Sequence, residues 1–209
     1  MTNDERNSFV IQNSGKKLSA KQFGYNTVFW SIENANAFLD EIVNIVSDNN
    51  HLRIVQKIRT NPGIARTQFI AMYLATFHFY SRTVLRVPRE AFDEVFVGFL
   101  DGIACIEDSS GGKISKEHAD YIRALTGRYI DAISKDLCAA PVDPRAINPP
   151  PTEIYKTAIH FLTLNYSVDG ESQLEISALE SFQFQTYIEL LPKVLMLSLK
   201  NDLKLTFQA

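Results

Sequence analysis

A chain of 209 residues with 45% hydrophobic and 22% charged side chains has the composition of a globular protein, and its length allows it to bury roughly 70% of the surface that the unfolded chain exposes. The net charge of -3 argues against a general electrostatic attraction to nucleic acid or to an anionic membrane. Two cysteines, Cys105 and Cys138, are too few for a disulfide framework, so we expect reduced thiols and a cytoplasmic location.

The beginning of the chain is polar and is interrupted by two glycines. We therefore expect residues 1–24 to be a flexible polar segment, loose or with a short strand, followed by a helical domain over residues 25–209. The aromatic and β-branched run from Tyr25 to Trp30 is typical of a short strand or of a strap across a helical bundle. Ser31 then offers an N-cap, and apolar residues at helical spacing up to Val46 predict the first helix.

The stretch from Ile64 to Leu85 is apolar nearly all round. This pattern predicts a central helix with neighbours on several sides, because a surface helix would keep one polar face. The apolar run is too short to cross a bilayer and contains His78, so we interpret it as a core helix. A shorter helix around Val55 precedes it, and Pro88 ends it because a proline disfavours helical backbone in the residue before it.

Three helices are predicted after the central one. They run from Arg89 to Ile106, from a cap at Ser115 to Leu137, and from Thr152 to Tyr166. Each carries apolar residues at helical spacing, as helices that pack against a common core do.

The proline-rich run PVDPRAINPPP at 141–151 cannot form a regular helix and predicts a connection. After it, a capping-box pattern at Ser177 predicts the start of the last helix, which should continue through Pro192. The sequence therefore predicts an all-α protein. We expect an irregular single-domain bundle of six or seven helices around a central apolar helix, with a short N-terminal extended segment.

Sequence signatures of catalysis are absent from the chain. It has no HExxH, GxSxG, GxxxxGK[ST] or GxGxxG motif, so we expect no catalytic residue, no metal site and no cofactor. His78 on the central helix is either a structural histidine or part of a ligand site with Arg82 and Tyr73. A cavity of roughly 300 Å³ or more that opens onto His78 or Tyr73 would favour the ligand site, and a solid core would exclude it.

Charge is divided between neighbouring segments. Residues 49–89 include arginines and lysines but no acidic residue, whereas residues 90–112 include acidic residues and no arginine or lysine. Consecutive helices are usually spatial neighbours, so we expect these two segments to pair with each other; the alternative is an anion site or a surface for an acidic partner. The acidic helix should then cover part of the basic surface, and we predict no binding of nucleic acid.

The leading functional hypothesis is a non-enzymatic cytosolic interaction or regulatory module. It would bind another protein, or a second copy of itself, through an acidic and aromatic surface, and would not contact a membrane. The candidate partner-binding residues are Arg86, Arg89, Glu180, Phe182 and Phe184. The alternative hypothesis is a small-ligand binder or an enzyme with a pocket in the helical core near His78.

Overall fold

The structure is a computed structural model, and it describes residues 7–45, 53–107, 111–138, 151–167 and 178–208. The helices are α1 (Ala20–Ile45), α2 (Arg53–Thr60), α3 (Pro62–Phe79), α4 (Arg89–Ala104), α5 (Lys116–Cys138), α6 (Glu153–Asn165) and α7 (Ala178–Asn201), and the strands are β1 (Ser8–Ile11), β2 (Lys16–Ser19) and β3 (Leu205–Gln208). The predicted all-α bundle is confirmed. The predicted connection at 141–151 lies outside the described residues except for Pro151.

Helix α3 is the central element of the bundle. Every residue from Thr67 to Phe77 is buried, and α3 contacts α1, α2, α5, α6 and α7. Pro62 occupies the first turn, where its missing N–H has no helical partner to lose. The prediction of a central helix with neighbours on several sides is therefore confirmed, and none of the described helices combines the length and hydropathy of a membrane span.

Helix α1 begins at Ala20, well before the predicted first helix. Ser19 and Gln22 form a capping box, in which Ser19 Oγ accepts from the Gln22 N–H at 3.2 Å and Gln22 Oε1 accepts from the Ser19 N–H at 3.0 Å. The strand or strap predicted over Tyr25–Trp30 is therefore wrong, because this run continues the capped helix. Ser31 is not an N-cap either: it is buried inside α1 and donates to the Thr27 carbonyl at 2.6 Å.

Glycines allow α1 and α4 to approach backbone to backbone. A Cβ on Gly24 would lie 1.9 Å from the Val95 carbonyl oxygen, and a Cβ on Gly98 would lie 1.9 Å from the Lys21 carbonyl oxygen. Gly24 therefore serves tertiary packing inside a helix, although its position in a polar stretch suggested a break. The contact holds α4 along α1, where Lys21 and Asp101 form an ion pair at 2.8 Å.

The predicted pairing of the basic and acidic segments is wrong for the residues that the structure describes. No ion pair there joins residues 53–89 to α4, and Asp101 of α4 pairs with Lys21 of α1 instead. The reason is the arrangement of the helices, since α4 packs along α1 and makes few contacts with α3, which precedes it in the chain. Arg59 instead donates to the Val43 carbonyl at 2.8 Å, and the Arg82 guanidinium lies 4.8 Å from the centroid of the Phe92 ring.

A three-stranded antiparallel sheet joins the two ends of the chain. Strand β1 lies between β2 and β3, and Phe9 of β1 stacks on Phe23 of α1 with ring centroids 3.8 Å apart. Residues 7–24 thus form a hairpin and the first turns of α1, so the short strand that the sequence allowed in this polar segment is present. A few apolar side chains anchor this stretch to the core, since Phe9 is fully buried and Ile11 almost fully buried.

The first backbone N–H groups of helix α6 bond to a side chain of α5 and to the N-cap residue of α6. Asp136 of α5 accepts from the Glu153 and Ile154 N–H groups at 2.7 and 3.0 Å, and Thr152 accepts from the Tyr155 N–H at 3.2 Å. Helix α7 begins at Ala178 and continues through Pro192, as predicted. Ser177, and with it the predicted cap, lies outside the described residues.

Candidate ligand pocket

Helices α1, α3, α4 and α5 enclose a pocket of about 240 Å³ beside His78. Aromatic rings contributed by three of these helices line it: Phe23, Phe77, Phe92, Phe96 and Phe99. On α5, Gly127 leaves space, because a Cβ added there would meet no atom within 4 Å. The pocket is therefore a mainly apolar space between helices, of the kind in which small ligands bind.

His78 contributes a neutral imidazole to this wall. Burial, with a smaller contribution from the positive charge of Arg82, lowers the pKa of His78 from 6.5 to about 4. Its ring meets the Phe92 ring edge to face, with centroids 4.7 Å apart. Neither ring nitrogen bonds to another described residue, so at neutral pH the imidazole has one donor and one acceptor to offer.

Three hydroxyl groups in the pocket wall donate their protons to backbone carbonyls of their own helices. Thr27 donates to the Gly24 carbonyl at 2.7 Å, Ser81 to the Phe77 carbonyl at 2.9 Å, and Thr126 to the carbonyl one turn before it at 2.8 Å. In this arrangement, each hydroxyl presents lone pairs and no proton to the pocket.

Arg123 is the one charged residue among the described residues that line the pocket. Its Nη1 donates to Asp120 Oδ1 at 2.6 Å, in an ion pair that is partly open to solvent. Its Nε is buried and has no hydrogen-bond partner. Because this Nε is closed off from the pocket as well as from solvent, the donors that Arg123 can offer are the terminal N–H groups that do not bond to Asp120.

The pocket wall includes an irregular part of the chain. After Phe79 the central helix widens into a π-helical turn, Tyr80–Val84, in which the Leu85 N–H bonds to the Tyr80 carbonyl at 3.0 Å. Ser81 in this turn lines the pocket. Such π-helical turns are frequent at functional sites, which makes this end of the central helix a reasonable place for one.

The structure separates the three predicted ligand-binding residues. His78 lines the pocket, but Tyr73 lines a different groove of about 440 Å³ between α1, α3 and α7, where burial and nearby Glu41 raise the pKa of its hydroxyl. Arg82 is exposed and reaches Phe92 from outside the pocket lining. The pocket at His78, of about 240 Å³, is smaller than the roughly 300 Å³ expected of a ligand cavity, whereas the groove at Tyr73, of about 440 Å³, is larger. Neither place is a solid core.

The predicted partner-binding residues are also dispersed. Arg86 and Arg89 are exposed, Phe184 is 2% exposed and packs in the core, and the side chains of Glu180 and Phe182 lie outside the described residues. Among the described positions of α7, the large exposed apolar residues are Leu190, Val194 and Leu197. The large exposed apolar side chains at these positions are thus aliphatic.

Sequence reasoning missed Arg123 and Gly127, which lie one turn apart on α5. One available signal was Gly127 itself, since a glycine inside a periodic helix costs about 1 kcal/mol relative to alanine and commonly has a packing or functional reason. Arg123 had no comparable signal, because its lost hydrogen bond depends on burial by other helices.

Comparisons with protein-family models, with curated proteins and with solved structures found no match to this chain. Within the described ranges, no group of three or more His, Cys, Asp or Glu residues is arranged to hold a metal ion.

Proposed function

We propose that this protein binds a small, mainly apolar ligand in the pocket between α1, α3, α4 and α5. The observation that carries the proposal is an aromatic-walled space of about 240 Å³ beside a neutral histidine. An apolar cavity of about 150 Å³ binds benzene, so this pocket has room for a ligand of about two fused rings. Edge-to-face and offset contacts with the phenylalanine rings would favour an aromatic ligand.

Binding is proposed in preference to catalysis. His78 packs against an aromatic ring and forms no hydrogen bond with a described carboxylate or hydroxyl, so a base bonded to an orienting acid or to a nucleophile is not assembled around it. The cytosol is the proposed location, and the support for it is the pair of free thiols, Cys105 and Cys138.

The test is ligand binding by variants of α5. Indole and 2-naphthalenemethanol are titrated into the wild-type protein and followed by calorimetry and thermal shift. Gly127→Leu adds a large side chain at the pocket lining and should weaken binding at least tenfold. The control is Ala124→Leu, which adds the same side chain to an exposed position of the same helix outside the lining and should leave binding unchanged. Equal binding by Gly127→Leu and wild type, or no binding of either compound to wild type, would refute the proposal.

A second candidate function is partner binding at the groove lined by Tyr73. The groove is bordered by Leu190 and Val194, which are large, apolar and exposed, and by the exposed Glu41. Its shape and charge fit an amphipathic helix of a partner protein with basic residues beside its apolar face. This proposal keeps the hypothesis of a protein-binding module but moves the contact to the groove between α1 and α7.

A matched pair of variants tests the second candidate. Val194→Asp introduces a charge into the groove, and Val97→Asp introduces one at a similarly exposed valine of α4; the two valines are 59% and 46% exposed. A partner recovered at low salt by wild type and Val97→Asp but lost by Val194→Asp would support groove binding. Sedimentation of the pure protein separates a partner from self-association. A partner that both variants retain would contradict the choice of this surface.

A further inference from the structure

The polar groups of the ligand pocket are distributed unequally between donors and acceptors. The hydroxyls of Thr27, Ser81 and Thr126 give their protons to their own helices, so they offer lone pairs. Donors come from one N–H of the neutral His78 and from Arg123. A ligand with an acceptor group therefore has a defined place to bind, at the α5 side of the pocket.

Arg123 supplies a charge as well as a donor. The Arg123 Nε is buried without a partner, while Nη1 remains bonded to Asp120 at the solvent side. An acceptor at the terminal N–H groups that Asp120 leaves free would not break the existing ion pair. No described acidic residue lines the pocket, and the carboxylate that already pairs with Arg123, that of Asp120, is half exposed to solvent outside the lining.

From this arrangement we propose that the ligand is an aromatic carboxylic acid, bound with its rings among the phenylalanines and its carboxylate on the terminal N–H groups of Arg123 that Asp120 leaves free. This inference rests on the proposed ligand-binding function and adds the chemical class of the ligand. A guanidinium is the side chain best suited to a carboxylate, since its charge is permanent and its donors are fixed in one plane. The five aromatic rings of the wall lie on the helices that face α5.

The test compares two compounds with the same rings. Dissociation constants are measured by calorimetry for 2-naphthoate and 2-naphthalenemethanol at pH 7, where the acid is ionised. Wild type should bind the carboxylate about tenfold more tightly than the alcohol, a difference of about 1.4 kcal/mol. Arg123→Met should remove this preference by weakening the acid and leaving the alcohol unchanged.

The control is Arg128→Met, which removes an equal charge from the same helix. Arg128 lies outside the pocket, with its guanidinium 5.0 Å from the centroid of the Phe161 ring, so the preference for the acid should persist in this variant. The wild-type ratio decides the matter even if Arg123→Met fails to fold.

Two kinds of failure are distinguishable. If wild type binds the alcohol as tightly as the acid, or if Arg123→Met keeps the preference, the assignment of a carboxylate at Arg123 is overturned while binding in the apolar pocket stands. If wild type binds neither compound, the proposed function itself fails, and the inference fails with it.

Discussion

The close contact of α1 with α4 makes a sharp prediction about two glycines that are both inside helices. Gly98→Ala should destabilise the protein, and Gly127→Ala should stabilise it. The two substitutions are chemically identical, and they differ in what the new methyl group meets. At Gly98 it meets the Lys21 carbonyl oxygen at 1.9 Å, and at Gly127 it meets nothing within 4 Å.

The magnitudes follow from the surroundings of each glycine. Alanine is favoured over glycine in a helix by about 1 kcal/mol, which is the expected gain at Gly127. At Gly98 the methyl group would collide with backbone, so α1 and α4 would have to separate by about 1 Å, and overpacking of this kind costs up to about 3 kcal/mol. After the helix-propensity gain, the net loss in the free energy of unfolding should be about 2 kcal/mol.

Thermal unfolding followed by circular dichroism measures both effects. For a protein of this size, 1 kcal/mol shifts the melting temperature by about 2–4 °C, so Gly98→Ala should melt about 4–8 °C below wild type and Gly127→Ala about 2–4 °C above it. A stable Gly98→Ala protein with an unchanged melting temperature would show that α1 and α4 are not in backbone contact.

Three further predictions concern polar side chains. His78 has a pKa of about 4 when folded and 6.5 when unfolded, so the unfolded state binds more protons between these pH values. The free energy of unfolding should therefore fall by at most about 3 kcal/mol as the pH falls from 6.5 to 4. Urea titrations at several pH values should show a smaller dependence on pH in His78→Gln. Asp136→Ala in α5 should lower the free energy of unfolding in urea by about 1–2 kcal/mol, because the first N–H groups of α6 lose their acceptor. Asp131→Ala, at an exposed position of α5, should lower it little. Gln68→Met should cost about 1–3 kcal/mol, and more than Tyr129→Phe, because Gln68 donates both to the Tyr129 hydroxyl and to a carbonyl of α6; equal losses would contradict that double role.

The sequence predicts the elements whose evidence is local. Helix α3 is apolar all round and is buried all round, because its composition leaves no face suited to water. Ser115, predicted as a cap, accepts from the His118 N–H at 3.2 Å at the start of α5. Side-chain chemistry within one or two turns decides both features.

The start of α1 depends on information from elsewhere in the chain. Gly24 weakens a helix in isolation, and only its contact with Val95 of α4 explains why a glycine stands there. The capping box of Ser19 and Gln22 was a readable local signal for this start. The charge pattern of residues 49–112 misled for a related reason, since adjacency along the chain did not determine which helix α4 packs against.

The candidate site also combines a residue that the sequence identifies with features that depend on how the helices pack. His78 could be singled out because it is a polar residue in an apolar helix. The rest of the pocket comes from α1, α4 and α5, and the periodicity of each helix identifies its buried face but not the angle at which the helices cross. The space opposite Gly127 and the unpaired Nε of Arg123 both depend on that geometry.

Intermolecular nuclear Overhauser effects between 2-naphthoate or 2-naphthalenemethanol and the protein's methyl groups test the central claim most directly. Leu74, Val95 and Ile130 line the pocket and should show contacts with the ring protons of a bound ligand. Ile58 and Leu199 are buried outside the lining and serve as controls that should show none. Contacts confined to methyl groups of the pocket lining are the predicted result. Ring contacts with the control residues, or with the Val194 methyls on α7 in place of the pocket, would contradict the assignment of this pocket as the ligand site.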